Sequence, residues 1–598
     1  MHASLARCGI AGWLDFDRDL RAHGPTVRAM TAVLALRGPG GEGVWLDEHI
    51  ALGHRRLPVL DPAGGAQPML AKDGERVLAA LAYGGETYNH RDLALPAQTR
   101  SDTEAVLRAY LRWGEDFAQR LEGMYAIALW DARRECLLLV RDRLGVKPLY
   151  YLPAGSGALF ASEPKAIAAH PLGRLSVDLD GLRELLASVR TPGHAVYRGL
   201  REVRPGEIVR IDRTGVHARR YWRPAPAEHR DDWPATVHTV RSLLSRAVTG
   251  QLHADVPLCA LLSGGLDSSA VAALAVAARP DLRTVSLDDP DDAPHARAAA
   301  AFLRTRHEQV TVDAAQLADV VHRAAALTAL ELPTGLGEFH VSLYLLFRSV
   351  AERATVALTG EGADELFGGY PWCHDPRAAG TFPWLAGPYA ARADPSGPST
   401  DVLSPELSAA LELPEYRDDA YASALSEVDH VPSEGPAQRR MRASRYLHLT
   451  RLLPILLDRM DRMSMACGIE ARVPFCDHRL VEYAYNVPWS MHTYDGREKS
   501  LLRAAVSEDL PADVLRRRKR PYPVASDPAY ELALRSQLLH VLEDSTSPVR
   551  PLLDTAKAWH LIVAPIAQPG LDAGRRAVEL LLSLDRWLRT VPLVSLPF

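Results

Sequence analysis

Apolar positions change rhythm about a third of the way along the chain. Up to about residue 213 they come as short runs broken by glycine, at 44–46, 57–60, 77–83, 126–130 and 136–141, and each has the length of a strand. Two stretches, 26–36 and 102–113, repeat apolar residues every three or four positions and read as amphipathic helices. Stacked antiparallel sheets with flanking helices are the expected result. From Trp233 onward, long helical segments alternate with short apolar strands. A helix over 235–247 precedes an apolar run ending at Leu262, and strands follow at 283–287, 307–312 and 354–359. That alternation predicts a parallel, doubly wound sheet, giving a two-domain α/β protein. Residues 214–232 mix charge, proline and tryptophan without a period and read as a linker between domains at 1–213 and 233–598, with Trp222 as a packing anchor.

Bulk properties narrow the function. A chain of 598 residues exceeds what one core supports. Its net charge of −5, from 69 basic and 74 acidic residues, argues against a general nucleic-acid binder. The basic run Arg516-Arg-Arg-Lys-Arg520 then reads as solvated surface or as contacts to an anionic ligand. No apolar run reaches bilayer length, and the first seven residues hold no signal-like apolar core. Six cysteines without a Cys-x-x-Cys pair suit reduced thiols, so the expectation is a cytoplasmic protein without membrane partners.

Two strings carry chemistry. In Leu261-Leu-Ser-Gly-Gly-Leu-Asp-Ser-Ser269 a strand runs into a small-residue turn and then a helix, so free N–H groups and the helix's positive end can hold phosphate oxygens. Gly264 and Gly265 permit close approach, and Ser263, Ser268 and Ser269 add hydroxyl donors. Asp267 suits such a site only if a cation lies between it and the phosphates, which makes it a candidate Mg²⁺ ligand. No Gly-x-x-x-x-Gly-Lys-[Ser/Thr] pattern is present in this string, so a P-loop kinase reading fails. In the second string, Leu358-Thr-Gly-Glu-Gly-Ala-Asp-Glu-Leu-Phe-Gly-Gly-Tyr370, Glu361, Asp364 and Glu365 crowd behind a buried strand. Asp364 can join Asp267 on the metal, and Glu365 fits the first turn of a helix.

Around these strings, Cys8-Gly-Ile-Ala-Gly12, Arg37-Gly-Pro39, Gly53-His-Arg-Arg-Leu57, Gly85-Glu-Thr-Tyr-Asn89, Ser101-Asp-Thr-Glu104 and 141–150 resemble class II glutamine amidotransferases. The Ser263–Ser269 loop resembles the pyrophosphate loop of ATP pyrophosphatases. In this order the strings resemble glutamine-dependent asparagine synthetases over nearly the whole chain. The resemblance implies ATP and Mg²⁺ as cofactors, a carboxylate substrate (small molecule or peptide) and glutamine as nitrogen donor, and it allows a homodimer. It assigns Cys8 as the glutaminase nucleophile, with Arg56 and Asp102 on glutamine and the backbones of Leu57–Asp61 and Gly85–Thr87, Glu86 included, lining that pocket. It makes Gly85 N–H an oxyanion donor. In the other half it places Leu262, Leu287, Thr359 and Gly360 at the nucleotide, Glu361 at the reacting carboxylate, and Lys499 as the charge stabiliser. Arg462, Glu470 and Arg472 are further polar positions, as suited to salt bridges as to substrate.

The chain departs from the family pattern at several places. Cys8 is internal as written, whereas the family's base is the cysteine's own α-amine. Gly84 stands where an asparagine oxyanion donor belongs, and the segment 91–100 is short. Together these favour a weak or silent glutaminase. Asp288 replaces an expected glycine, and the stretch 285–307 is brief. Three functions compete: asparagine synthesis, a specialised amide ligase resembling β-lactam synthetases or lasso-peptide cyclases, and a non-catalytic relative, against which the intact Asp267, Glu361, Asp364 and Lys499 speak.

Overall fold

A computed structural model describes residues 8–38, 41–56, 59–61, 64–386, 398–523, 525–566 and 573–594. In the N-terminal half two six-stranded antiparallel sheets are stacked. One runs in the order 201–202, 150–154, 157–161, 9–14, 50–55, 42–46, and the other 215–220, 207–212, 136–141, 123–131, 76–87, 69–73. Alternation along each strand builds the core between them. Ile10, Leu14, Leu52 and Phe160 of the first sheet meet Ala80, Ala82, Ala128 and Leu139 of the second. The opposite face of the second sheet, Ala79, Leu81 and Tyr83, takes the apolar side of the helix Asp102–Trp113, whose Ser101 cap accepts from Thr103 N.

The C-terminal half carries a five-stranded parallel sheet in the order 306–310, 283–287, 258–261, 356–358, 470–472. Its short central strands are buried and apolar throughout, as strands covered on both faces should be. The pairing of Leu258–Leu261 with Val356–Leu358 brings the carboxyl ends of these two strands side by side. No helix among the described residues is long and apolar enough to cross a membrane.

Three expectations change. The run at 57–60 is not a strand over its described part; the neighbouring strand is Ile50–Arg55, which the glycine and histidine at its end had obscured. Residues 215–220, assigned to the linker, form an edge strand on Glu207–Asp212, because Gly215 makes the turn of a hairpin. Glu470–Arg472, too polar to read as a strand, closes the parallel sheet with all three residues buried, since its charges are paired. Trp222 does pin the halves: its indole N–H donates to Glu482 at 2.5 Å.

The halves meet across a buried ionic seam. Arg37 lies 2.8 Å from Glu163 and 2.7 Å from Asp461, and Lys147 lies 3.0 Å from the same Asp461. Arg472 binds Glu470 at 2.8 Å and reaches Glu86 of the other half at 3.6 Å. Removing one member of such a set leaves a desolvated charge, so Asp461→Ala should lose about 3–5 kcal/mol in urea unfolding, and Asp461→Asn less. Acid should act separately. Burial pushes His54 down to about 3, and His340 and His448 down to about 4. His448 Nε2 accepts from the Trp372 indole, which fixes the neutral ring. Stability from these groups is complete above pH ~6.5 and is lost as pH falls toward their folded values. The thermal midpoint should therefore drop between about pH 6.5 and 4, and His448→Asn should flatten part of that slope.

Candidate active site

The phosphate-type loop lies at the carboxyl end of Leu258–Leu261, where ligands sit in sheets of this kind. Gly264 is in the left-handed region at φ +71, and a Cβ there would lie 2.4 Å from the His295–Ala296 backbone. Ser263 Oγ and Ser268 Oγ are 3.0 Å apart, and Ser268 Oγ accepts from Ser263 N at 3.1 Å, which rigidifies the turn. The helix Leu266–Ala278 then starts at Gly265 without a side-chain cap, so its first N–H groups face the loop.

Next to it, after Val356–Leu358, Thr359 N is held by Arg472 O at 2.9 Å and Gly360 packs on the backbone at Asp267–Ser268. The two loops thereby deliver two carboxylates to one ammonium. Lys499 Nζ donates to Asp267 Oδ1 and Oδ2 at 2.7 and 2.6 Å and lies 2.5 Å from Asp364 Oδ1. Lys519 Nζ lies 2.6 Å from Asp364 Oδ2. Burial opposes the Asp364 charge, yet the two lysines hold its carboxyl well below the usual carboxylate range. Burial pushes Glu361 up, opposed by Arg459 at 3.7 Å and by Lys519. Burial and the neighbouring Asp364 push Glu365 up to about 8, and Tyr370 OH donates to it.

Some assigned residues take a different part. The Leu262 side chain is fully buried, leaving only its main chain for a nucleotide. Leu287 packs against the core, and Asp288 turns to Thr311 at 3.3 Å. Arg462 pairs with Asp458 at 3.1 Å, and Glu470 and Arg472 with each other, so all three are structural. Lys519, Arg517 and Arg459 were not singled out. The basic run was the available signal: Arg517 reaches Ser263 O at 3.3 Å, Lys519 reaches Asp364, and Arg520 pairs with Asp291 at 2.6 Å, so the run straps the loop.

In the other half, Asp102 Oδ2 accepts from Tyr83 OH at 2.8 Å and from Thr87 N at 2.9 Å, and Arg56 donates to Asp61 O at 2.9 Å. Leu57 lies outside the described residues. Gly85 sits at φ +141 with Met124 O where a Cβ would be. Cys8 O accepts from Arg37 Nε at 3.2 Å, and a Cβ on Gly84 would meet Cys8 Cβ at an ordinary 3.5 Å. Glu86 is drawn to Arg472 across the seam. A cavity of about 10 Å³ joins Cys8, Gly84 and Gly85 to Met465 and Glu470 of the synthetase half.

Comparison with known proteins places the chain in a family. Residues 239–589 match the asparagine synthase family and residues 7–222 a glutamine amidotransferase domain. The chain belongs to the asparagine synthase family. It is 38% identical over 93% of both chains to asparagine synthetase (glutamine-hydrolysing) 3 of Bacillus subtilis. It is 28% identical to asparagine synthetase 1 of the same organism over 83% of each chain. The maize asparagine synthetase is 27% identical over 86% of this chain and 77% of its own.

The Asp364–Lys499 contact depends on Gly369, where a Cβ would lie 1.9 Å from Asp364 Oδ1 and 2.1 Å from Lys499 Cε. Losing one charge-assisted contact should weaken ATP binding roughly ten- to a hundredfold. Calorimetric titration of Gly369→Ala, with an unchanged far-ultraviolet circular dichroism spectrum, checks this.

Proposed function

We propose that the protein is an ATP-dependent amide ligase of the asparagine synthetase type. The observation that carries the reading is the convergence of Asp267 and Asp364, from two adjacent loops, on one cation beside an N–H-rich turn. A carboxylate oxygen of the substrate attacks the α-phosphorus of ATP, pyrophosphate leaves, and an acyl-adenylate forms. Ammonia then attacks the acyl carbon, a proton is released, and AMP departs as the amide forms. Ser263–Ser269 would orient the pyrophosphate portion, and Lys499 and Lys519 would offset charge developing on it. Glu361, half-buried and only loosely paired, would orient the incoming amine and take its proton.

The residues fit Mg²⁺. Asp364 Oδ1 is buried and makes no hydrogen bond of acceptable geometry, although the Lys499 ammonium is beside it. Two carboxylates plus substrate phosphates are the ligands this ion favours, and Asp267 and Asp364 would supply them. Bound there, the ion would neutralise phosphate charge.

Aspartate is the acid and glutamine or ammonia the nitrogen source in this reading. Cys8 would be the glutaminase nucleophile, with Arg56, Asp102, Glu86 and the Gly85–Thr87 backbone around glutamine. Gly84 removes one oxyanion donor, a loss of roughly 10²–10³ in rate, so ammonium should support faster synthesis than glutamine. A Cβ at position 84 would meet Cys8 Cβ at an ordinary 3.5 Å, so Gly84→Asn should raise the glutamine-dependent rate and leave the ammonium-dependent rate unchanged.

Aspartate-dependent ATP–pyrophosphate exchange tests the reading directly. Lys499→Ala and Glu361→Gln should each lower ammonium-dependent amide formation roughly 10²–10³-fold. Absence of exchange with aspartate and with every other acid tried would sink the proposal.

A further inference from the structure

A cavity of about 190 Å³ lies between the halves, apart from the phosphate loop. Val189, Ala195 and Val196 wall it on one side, and Leu332, Leu336 and Ile455 on the other. Protein interiors rarely keep voids much larger than a water, so an apolar space of this size calls for an occupant. An apolar cavity of about 150 Å³ accepts benzene, which scales this one to an arm of about six carbons.

The charges that reach the cavity are matched among themselves. Arg190 lies 2.9 Å from Glu202 and 3.6 Å from Asp458, and Arg462 lies 3.1 Å from Asp458 and 3.6 Å from Glu331. Glu184 accepts from Thr191 N and Tyr416 OH at 2.7 Å each. An ionic occupant would find its counter-charges already engaged, whereas an apolar one loses nothing by entering.

One wall residue also reaches the carboxylate of the other site. Arg459 lines the cavity, its guanidinium lies 3.7 Å from Glu361, and its buried Nε makes no hydrogen bond. The same side chain thus faces both the apolar cavity and the carboxylate assigned to the reacting centre.

We propose that this cavity is the side-arm pocket for the acid that the enzyme activates. The preferred substrate is then an aspartate-like carboxylic acid carrying an aliphatic or aromatic arm, its polar head at Arg459 and its arm between Val189 and Leu332. The inference rests on the acid-activating reading of Glu361, and it extends the acid of that reading from free aspartate to aspartates that carry an arm. Free aspartate has no group to fill the space.

ATP–pyrophosphate exchange with L-aspartate, L-aspartyl-glycine, L-aspartyl-L-leucine and N-hexanoyl-L-aspartate is the test. At least one acid with an arm should exceed L-aspartate about tenfold in kcat/KM, the worth of roughly two buried methylenes. Val189→Trp and Leu332→Trp should abolish that advantage while exchange with L-aspartate stays within about twofold, which also shows that the fold and the nucleotide site survive. If a tryptophan variant loses all exchange, the smaller Ala195→Leu should halve the advantage or better. Equal use of all four acids by the wild type, or an advantage that persists in the filled variants, overturns the pocket and leaves the ligase reading standing. No exchange with any acid overturns both.

Discussion

The synthetase half is arranged around one ammonium group. Asp267 and Asp364 come from turns at the ends of two neighbouring parallel strands, and two half-buried carboxylates so placed would repel each other. Lys499 Nζ sits between them at 2.6 and 2.5 Å, and its backbone adopts φ +56 to get there. A left-handed lysine costs about 1–2 kcal/mol, a strain that surrounding structure must offset. Gly369 yields the space, and Lys519 covers the outer face of Asp364. Two lysines and two aspartates make this core neutral. Phosphates entering it meet cationic groups that are already in position and exchange one set of anionic partners for another, which limits reorganisation during reaction.

Much of this was legible in the sequence. Strong apolar periodicity placed 102–113, 136–141 and 283–287 where the structure has them, and the small-residue turn after Leu262 lies between a strand and a helix as expected. What stayed hidden has a physical pattern. Glu470–Arg472 looks too charged for a buried strand because a sequence shows charges but not their pairing. Residues 215–220 are polar since an edge strand exposes both faces, which made them resemble a linker. Lys519 and Arg517 sit in a run whose spacing resembles solvated surface, and only tertiary contact distinguishes the two members that touch the site from Arg516, which pairs with Asp513 on the exterior.

The N-terminal half would be needed even if its glutaminase were weak. It supplies Arg37, Lys147 and Glu163 to the seam, and Asp461 of the synthetase half is neutralised by Arg37 and Lys147 from across it. Asp461 lies on the helix Leu453–Cys467, which also carries Arg459 beside Glu361 and Arg462 at the apolar cavity. A change in the packing of the first half therefore moves the helix that shapes the acid end of the site. Gly84 lies next to Cys8, while another surface of the same half packs against the synthetase. Chemistry at Cys8 and architecture at the seam are separable, so the first can decline without loosening the constraint that retains the second.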